Sequence, residues 1–180
     1  MGDTAGPVEA VSIAEEPFAT MVDVRVGVPG PGATAVALVL GVDLPTTAST
    51  HAVIGDVTVI WLGPDEWLVT TRSSTGAEFE SRLRDVIAPH GGAAIDVSGQ
   101  RTTLRLRGSR ARDVLAKGCS LDLHPRVFGS GSAAQTMLGQ AGIVLLAVDG
   151  SGADYRILVR SSFARYLLAW LRDAAAEYVD

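Results

Sequence analysis

The chain is short of charge. Of its 180 residues only 19% are Asp, Glu, Lys or Arg, against about 25% in an ordinary globular domain, and the mean hydropathy is +0.27. It also lacks any long apolar run: the longest are Ala35 to Leu40 and Ile143 to Val148. A bilayer span needs about 20 such residues, so none is expected. The first residues carry Asp3, Glu9, Glu15 and Glu16 without a basic start or a sustained apolar stretch, which does not fit a secretory leader. A single cysteine, Cys119, rules out an internal disulfide framework. With 15 basic and 20 acidic side chains the formal charge is −5, and no basic block is present, which argues against nucleic acid as a partner. A soluble cytoplasmic domain of 18.7 kDa is the expectation.

What is present is organised by turns. Residues 1–20, broken by Gly2, Gly6, Pro7 and Pro17, read as a flexible N-terminal arm. Val22, Val24 and Val26 alternate with Asp23 and Arg25, the period-2 signature of a half-buried strand. Pro29-Gly30-Pro31-Gly32 reads as a turn, and Ala35 to Leu40 as a short apolar strand. Val57, Val59 and Trp61 lead through Gly63-Pro64-Asp65-Glu66 into Trp67 to Thr70, which predicts a hairpin around a type I turn. Thr75 and Glu78 are spaced as a capping box. Phe79, Leu83, Val86 and Ile87 then mark the buried face of a helix that ends at Pro89.

The second half repeats the theme. Strands are expected at 93–97, 103–107, 136–138, 143–148 and 155–159, with a helix carrying Ala111, Val114 and Leu115 and capped by Gly118. A terminal helix from Ser161 or Ser162 is expected to bury Phe163, Tyr166, Leu167, Trp170, Leu171 and Ala174. Leu168 and Ala169 extend its apolar character, so it reads as covered on more than one side. The segments from Asp65 and from Asp154 share an aromatic-started strand, Arg-Ser-Ser and a helix ending Leu-Arg-Asp. This self-similarity predicts an α+β fold over 21–180 with two ferredoxin-like β-α-β-β-α-β halves, about 21–93 and 94–180, of antiparallel sheet with helices packed on it.

Chemistry-bearing groups are sparse. Cys119 and His124 form the only thiol–imidazole pair, but no motif of a thiol enzyme surrounds them, so a small buried thiol and a loop histidine are favoured. His51 and His90 stand apart, and no His, Cys or Asp spacing fits a metal. Neither Pro29–Gly32 nor Gly129-Ser130-Gly131 is read as leading from a strand into a helix, as a phosphate cradle requires. Asp96-Val97-Ser98 with Arg101, Arg105, Arg107, Arg110 and Arg112 reads mainly as a solvated charged face, with an interface to an acidic partner as the other reading. Trp61, Trp67 and Trp170 read as core or interface anchors rather than a cofactor box. The candidate interface residues are Trp61, Trp67, Arg105, Arg107, Leu168 and Trp170. Catalytic, cofactor and metal residues: none is assigned.

Four segments carry a family resemblance: Trp61 to Leu68, Asp96-Val97-Ser98, Arg110 to Cys119 with Asp122 to Pro125, and Ser162-Phe163 through Tyr166-Leu167 to Trp170-Leu171. Together they resemble the gamma subunits of heterotetrameric sarcosine oxidases, over about residues 18–174. That subunit is similar to the folate-binding domain of the glycine-cleavage aminomethyltransferase, the T-protein. The T-protein pattern carries two aspartates where this chain has Leu145 and Leu146, and Asn-Ala where it has Arg160-Ser161. Leucine cannot stabilise a developing cation, so the resemblance implies the fold without the aminomethyl transfer. It implies an accessory, non-catalytic subunit of a complex that demethylates sarcosine oxidatively to glycine with hydrogen peroxide, passing the one-carbon unit to tetrahydrofolate. FAD, FMN, NAD and zinc are implied in the alpha, beta and delta partners and none in this chain. The alternative is a free-standing folate-binding or aminomethyltransferase-like protein.

Overall fold

A computed structural model describes residues 9–178. In chain order the elements are β1 (Ser12–Glu15), β2 (Thr20–Arg25), α1 (Pro31–Leu40), β3 (His51–Ile54), β4 (Val57–Gly63), β5 (Glu66–Thr71), α2 (Gly76–Ile87), β6 (Ala93–Asp96), β7 (Arg101–Arg107), α3 (Ala111–Ala116), β8 (Ala133–Leu138), β9 (Ala141–Ala147), β10 (Asp154–Arg160) and α4 (Ala164–Ala175). Short 3-10 turns join several of them. Two compact units result. One comprises residues 17–101 and 131–134, and the other takes the remaining described residues.

The first unit is a five-stranded antiparallel sheet in the order β3-β4-β5-β2-β6. Its core joins Val22, Val24, Val59, Trp67 and Val69 of the sheet to Val36 and Leu40 of α1 and Phe79, Leu83 and Ile87 of α2. The tryptophan hairpin forms as expected, with Trp61 opposite Trp67 and a register shift before Gly63. The capping box is also made: the Thr75 hydroxyl accepts the Glu78 amide at 3.4 Å, and the Glu78 carboxylate accepts the Thr75 amide at 3.1 Å.

The segment read as a strand, Ala35 to Leu40, is the body of α1. Pro31 stands in its first turn and Gly41 ends it at φ +74, donating its amide to Ala37 O at 2.8 Å. Pro31 is pre-set for a helix start and alanine is the best helix former. The spacing Gly32, Val36, Leu40 puts one apolar face on the core. So Pro29–Gly32 does lead from a strand into a helix.

The second unit's sheet runs β1-β7-β10-β9-β8. Read from its other edge, β8-β9-β10-β7-β1, it has the same order as the first, with α3 in the place of α1 and α4 in the place of α2. The edge filled by β6 in the first sheet is filled here by β1, from the start of the chain. Ser12 pairs with Arg107 and Glu15 with Leu104, and Val11 is buried. The flexible arm expected through residue 20 therefore does not hold from residue 11 onward, and its first eight residues lie outside those described. The halves also divide near Arg101 rather than residue 93, because β6 pairs with β2.

In α4 the buried residues are Leu167, Leu171, Ala174 and Ala175. Phe163 and Tyr166, expected in the core, are exposed, at 41% and 38%. Arg165, Arg172 and Asp173 occupy the outer side. The helix without charge is α1: no charged residue lies between Arg25 and Asp43.

Candidate functional site

The expected interface residues separate on burial. Trp67 is fully buried and its indole N–H donates to Pro45 O at 2.8 Å; it is a core anchor and has no surface to offer. Trp61 is half-buried on the same core. Trp170 and Leu168 are half-buried on α4. Trp170 lies against Gly118, where a Cβ would meet the indole at 2.5 Å; the cap of α3 is Lys117 rather than the expected Gly118, and the glycine makes room for the ring. Arg107 is exposed.

Arg105 is buried, which corrects its reading as part of a solvated or partner-facing row. β1 and β10 flank β7; Glu16, just past the end of β1, and Asp154, the first residue of β10, supply carboxylates. Arg105 donates from Nε and Nη2 to the two oxygens of Asp154 at 2.5 and 2.6 Å, and from Nη1 to Glu16 at 3.0 Å. Arg156 donates Nε to the same Glu16 at 2.9 and 3.1 Å. Arg107 reaches Asp154 at 3.4 Å. Burial works to raise the Glu16 pKa, but Arg156 and Arg105 outweigh it and hold the carboxyl below its ordinary value. Nothing local in the sequence pairs Glu16 or Asp154 with Arg105.

Asp96-Val97-Ser98 is an internal brace. Asp96 Oδ1 accepts the Ser98 amide at 2.9 Å and the Ser98 hydroxyl, while Ser98 Oγ accepts the Met21 amide at 2.9 Å. The other Asp96 oxygen packs where a Cβ on Gly76 would stand, 2.0 Å away, so only glycine fits at the start of α2. Asp56 is a second brace that the sequence did not mark. Its Oδ2 accepts the Thr71 hydroxyl, the Arg72 amide and the Ser73 hydroxyl at 2.7, 2.8 and 2.7 Å, and these hold its carboxyl well below the usual range.

Cys119 is buried. His124 is exposed, and its Nδ1 accepts the Arg126 amide at 3.2 Å. The structure records no hydrogen bond between this thiol and this imidazole. Among the described residues no three His, Cys, Asp or Glu side chains converge to hold a metal, and no helix is long and apolar enough to cross a membrane. Leu145 and Leu146 are buried on β9, opposite Ile157 and Arg156. A shallow groove of about 870 Å³ runs along α1, lined by Pro29, Ala33, Ala37, Leu38 and Val42; Leu38 is 80% exposed. Thr34, Asp43 and Thr46 add polar side chains to its lining.

The sarcosine oxidase gamma subunit family matches residues 28–177. The chain belongs to that family. Relatives in it include the sarcosine oxidase subunit gamma of Corynebacterium sp. (strain P-1), 39% identical over 99% of this chain and 85% of the relative, and that of Corynebacterium sp. (strain U-96), 38% identical over 94% and 81%. Among solved structures, the heterotetrameric sarcosine oxidase from Corynebacterium sp. U-96 in complex with pyrrole 2-carboxylate matches with a TM-score of 0.88 at 32% identity, over 97% of this chain and 88% of that one. The glycine cleavage system aminomethyltransferase T from Bartonella henselae matches with a TM-score of 0.68 at 13% identity, over 96% of this chain and 48% of that one; this shows a shared fold. The gamma family thus carries the T-protein-like fold expected from the sequence.

Proposed function

We propose that the chain is the accessory, non-catalytic gamma subunit of a heterotetrameric sarcosine oxidase. In this reading it joins alpha, beta and delta subunits in the cytoplasm, and the partners hold FAD, FMN, NAD and zinc. The complex converts sarcosine to glycine and hands the one-carbon unit to tetrahydrofolate, while this chain supports the assembly. The observation that carries the reading is family membership over residues 28–177, taken with Leu145 and Leu146 buried in a sheet where the aminomethyltransferase pattern places aspartates. Its polar side chains point the same way. Asp96, Ser98, Glu16, Arg105 and Asp154 are spent on internal contacts. Of the candidate interface residues, Trp61, Arg107, Leu168 and Trp170 retain accessible surface for a partner.

Co-expression with the three companion subunits tests this. The chain is expected to co-purify in one complex, to self-associate or lose solubility when expressed alone, and to show no saturable tetrahydrofolate binding by itself. A monodisperse monomer that ignores the companions overturns the reading. Micromolar, saturable binding of tetrahydrofolate by the isolated chain would favour a free-standing folate protein instead.

A further inference from the structure

The shortage of charge in this chain is concentrated in one place. Between Arg25 and Asp56 the only Asp, Glu, Lys or Arg is Asp43, and that stretch builds α1, the loop that follows it and β3. One side of α1 is turned inward, with Gly32, Val36 and Leu40 buried. The other side is left open as the groove of about 870 Å³, and Leu38 stands in it 80% exposed. Ile54 of β3, itself 45% exposed, continues the apolar surface, since a Cβ on Gly41 would lie 3.8 Å from its Cδ1. A single exposed leucine is ordinary. An apolar groove joined to a second exposed apolar side chain marks a contact surface, because the centres of protein interfaces are depleted of charge.

The polar groups of the groove restrict what can lie in it. The Thr34 hydroxyl donates to Gly30 O at 3.3 Å, so it is spent on the helix's own backbone. Asp43 is different. It lines the groove just past Gly41, where α1 ends, and it makes no salt bridge with any described residue. The last turn of α1 holds no basic side chain, so the negative end of the helix dipole is uncompensated as well. Both favour a cation at that end, and the groove does not supply one. A second copy of the chain does not supply it through the same surface either. A two-fold contact sets the patch against itself, which here adds another carboxylate and no cation.

We propose that the α1 groove is a docking surface for a companion subunit, filled by an apolar segment that carries one lysine or arginine and sets it against Asp43. The proposal rests on the reading of the chain as a subunit of a sarcosine oxidase complex, and it adds α1 to the surfaces available for that assembly. The apolar part of the segment covers Ala37, Leu38 and Val42. Its cation fixes the direction in which the segment lies, because a reversed segment would place that charge beside Pro29 and Gly30, at the positive end of the helix.

Co-expression of the full chain with its companion subunits, followed by binding measurements on the purified chains, tests the surface. Leu38→Asp replaces a side chain that faces water, so the melting curve is expected to stay in place, while the apparent affinity for the companions falls at least about tenfold. Asp43→Lys is expected to weaken assembly at low salt, by a margin that shrinks as salt is raised. A photo-crosslinking amino acid in place of Leu38 gives a readout that does not depend on a loss. Irradiating the assembled complex is expected to join position 38 to an apolar companion segment that contains a lysine or arginine. Wild-type affinity in either Leu38→Asp or Asp43→Lys overturns the proposal and leaves the subunit reading standing. So does a cross-link to a second copy of this chain, to a companion segment without a basic residue, or to no chain at all. A wild-type chain that does not join the companions overturns the subunit reading, and this surface with it.

Discussion

Two clusters of carboxylates and arginines, one in each unit, behave in opposite ways toward protons. Around Arg105, the acids Glu16 and Asp154 meet Arg105, Arg156 and Arg107. Around Arg25, the guanidinium lies 2.7 Å from Glu66 and 3.8 Å from Asp23. Burial pushes both Glu16 and Asp23 toward the protonated form, as removal from water always does for a carboxyl group. Glu16 nevertheless ends below its ordinary value and Asp23 well above. The difference lies in which acids the guanidinium groups bond directly. Where Arg105 and Arg156 donate to Glu16, burial is outweighed; where Arg25 bonds Glu66 rather than Asp23, the charge of the second acid adds to burial at Asp23.

The comparison breaks first at Arg105. Its side chain is 10% exposed and binds two acids that are 13% and 18% exposed. Replacing it by methionine strands both carboxylates, and a loss of about 3–5 kcal/mol is expected, read as a drop in the denaturation midpoint. Adding Glu16→Gln and Asp154→Asn to that variant should recover much of the loss, because neutral amides tolerate the site. A loss below about 1 kcal/mol, the worth of a surface pair, would show that the cluster is not desolvated. Glu16→Gln alone comes next, at about 1.5–3 kcal/mol at neutral pH for a charged hydrogen bond. Because the folded Glu16 carboxyl lies below its unfolded value, its contribution is present above about pH 4.5 and disappears as pH falls. The variant and wild type should therefore converge in acid. A separation that does not narrow as pH falls below 4.5 would contradict it.

How much of this was legible follows from sequence distance. The Trp61–Trp67 hairpin and the Thr75–Glu78 box close within a few residues, and the sequence states both. α1 departs from the expected strand because a six-residue apolar run fits a buried strand as well as a helix, and the deciding signal, Pro31 ahead of an alanine-rich stretch, also fits a turn. β1 was missed because its partners, Leu104 to Arg107, lie in a different part of the chain, and nothing in residues 12–15 announces a strand that completes another half's sheet. Arg105 departs from expectation for the same reason: its parity on β7 is readable, but not the acids that stand beside it, Glu16 just after β1 and Asp154 at the start of β10. Burial of Trp67 against exposure of Tyr166 was equally invisible, since both occupy aromatic positions at plausible core spacing. The family resemblance was legible because its motifs are contiguous.

The two smaller predictions sharpen the contrast. At pH 7.5 Asp23→Asn should leave stability unchanged or raise it by up to about 1 kcal/mol, the scale of partly exposed pairs. Glu16→Gln moves the opposite way at the same pH, so calorimetry on the two variants side by side reads the sign reversal directly. If both variants lose stability, direct bonding by guanidinium groups does not set the sign.

Arg107 is the smallest case. Its side chain is 59% exposed and 3.4 Å from an Asp154 already held by Arg105. Two bonds from Arg105 already satisfy that carboxylate, so Arg107→Ala should cost at most about 0.5 kcal/mol in the isolated chain. The guanidinium still projects from the sheet, and a charge that contributes little to its own fold has its potential left to act outward. If Arg107 serves a partner surface, the substitution should leave the melting curve in place and weaken co-purification with the companion subunits, by a margin that shrinks as salt is raised. A shifted melt with unchanged co-purification would return Arg107 to the internal cluster and leave Arg105 and Arg107 doing the same work.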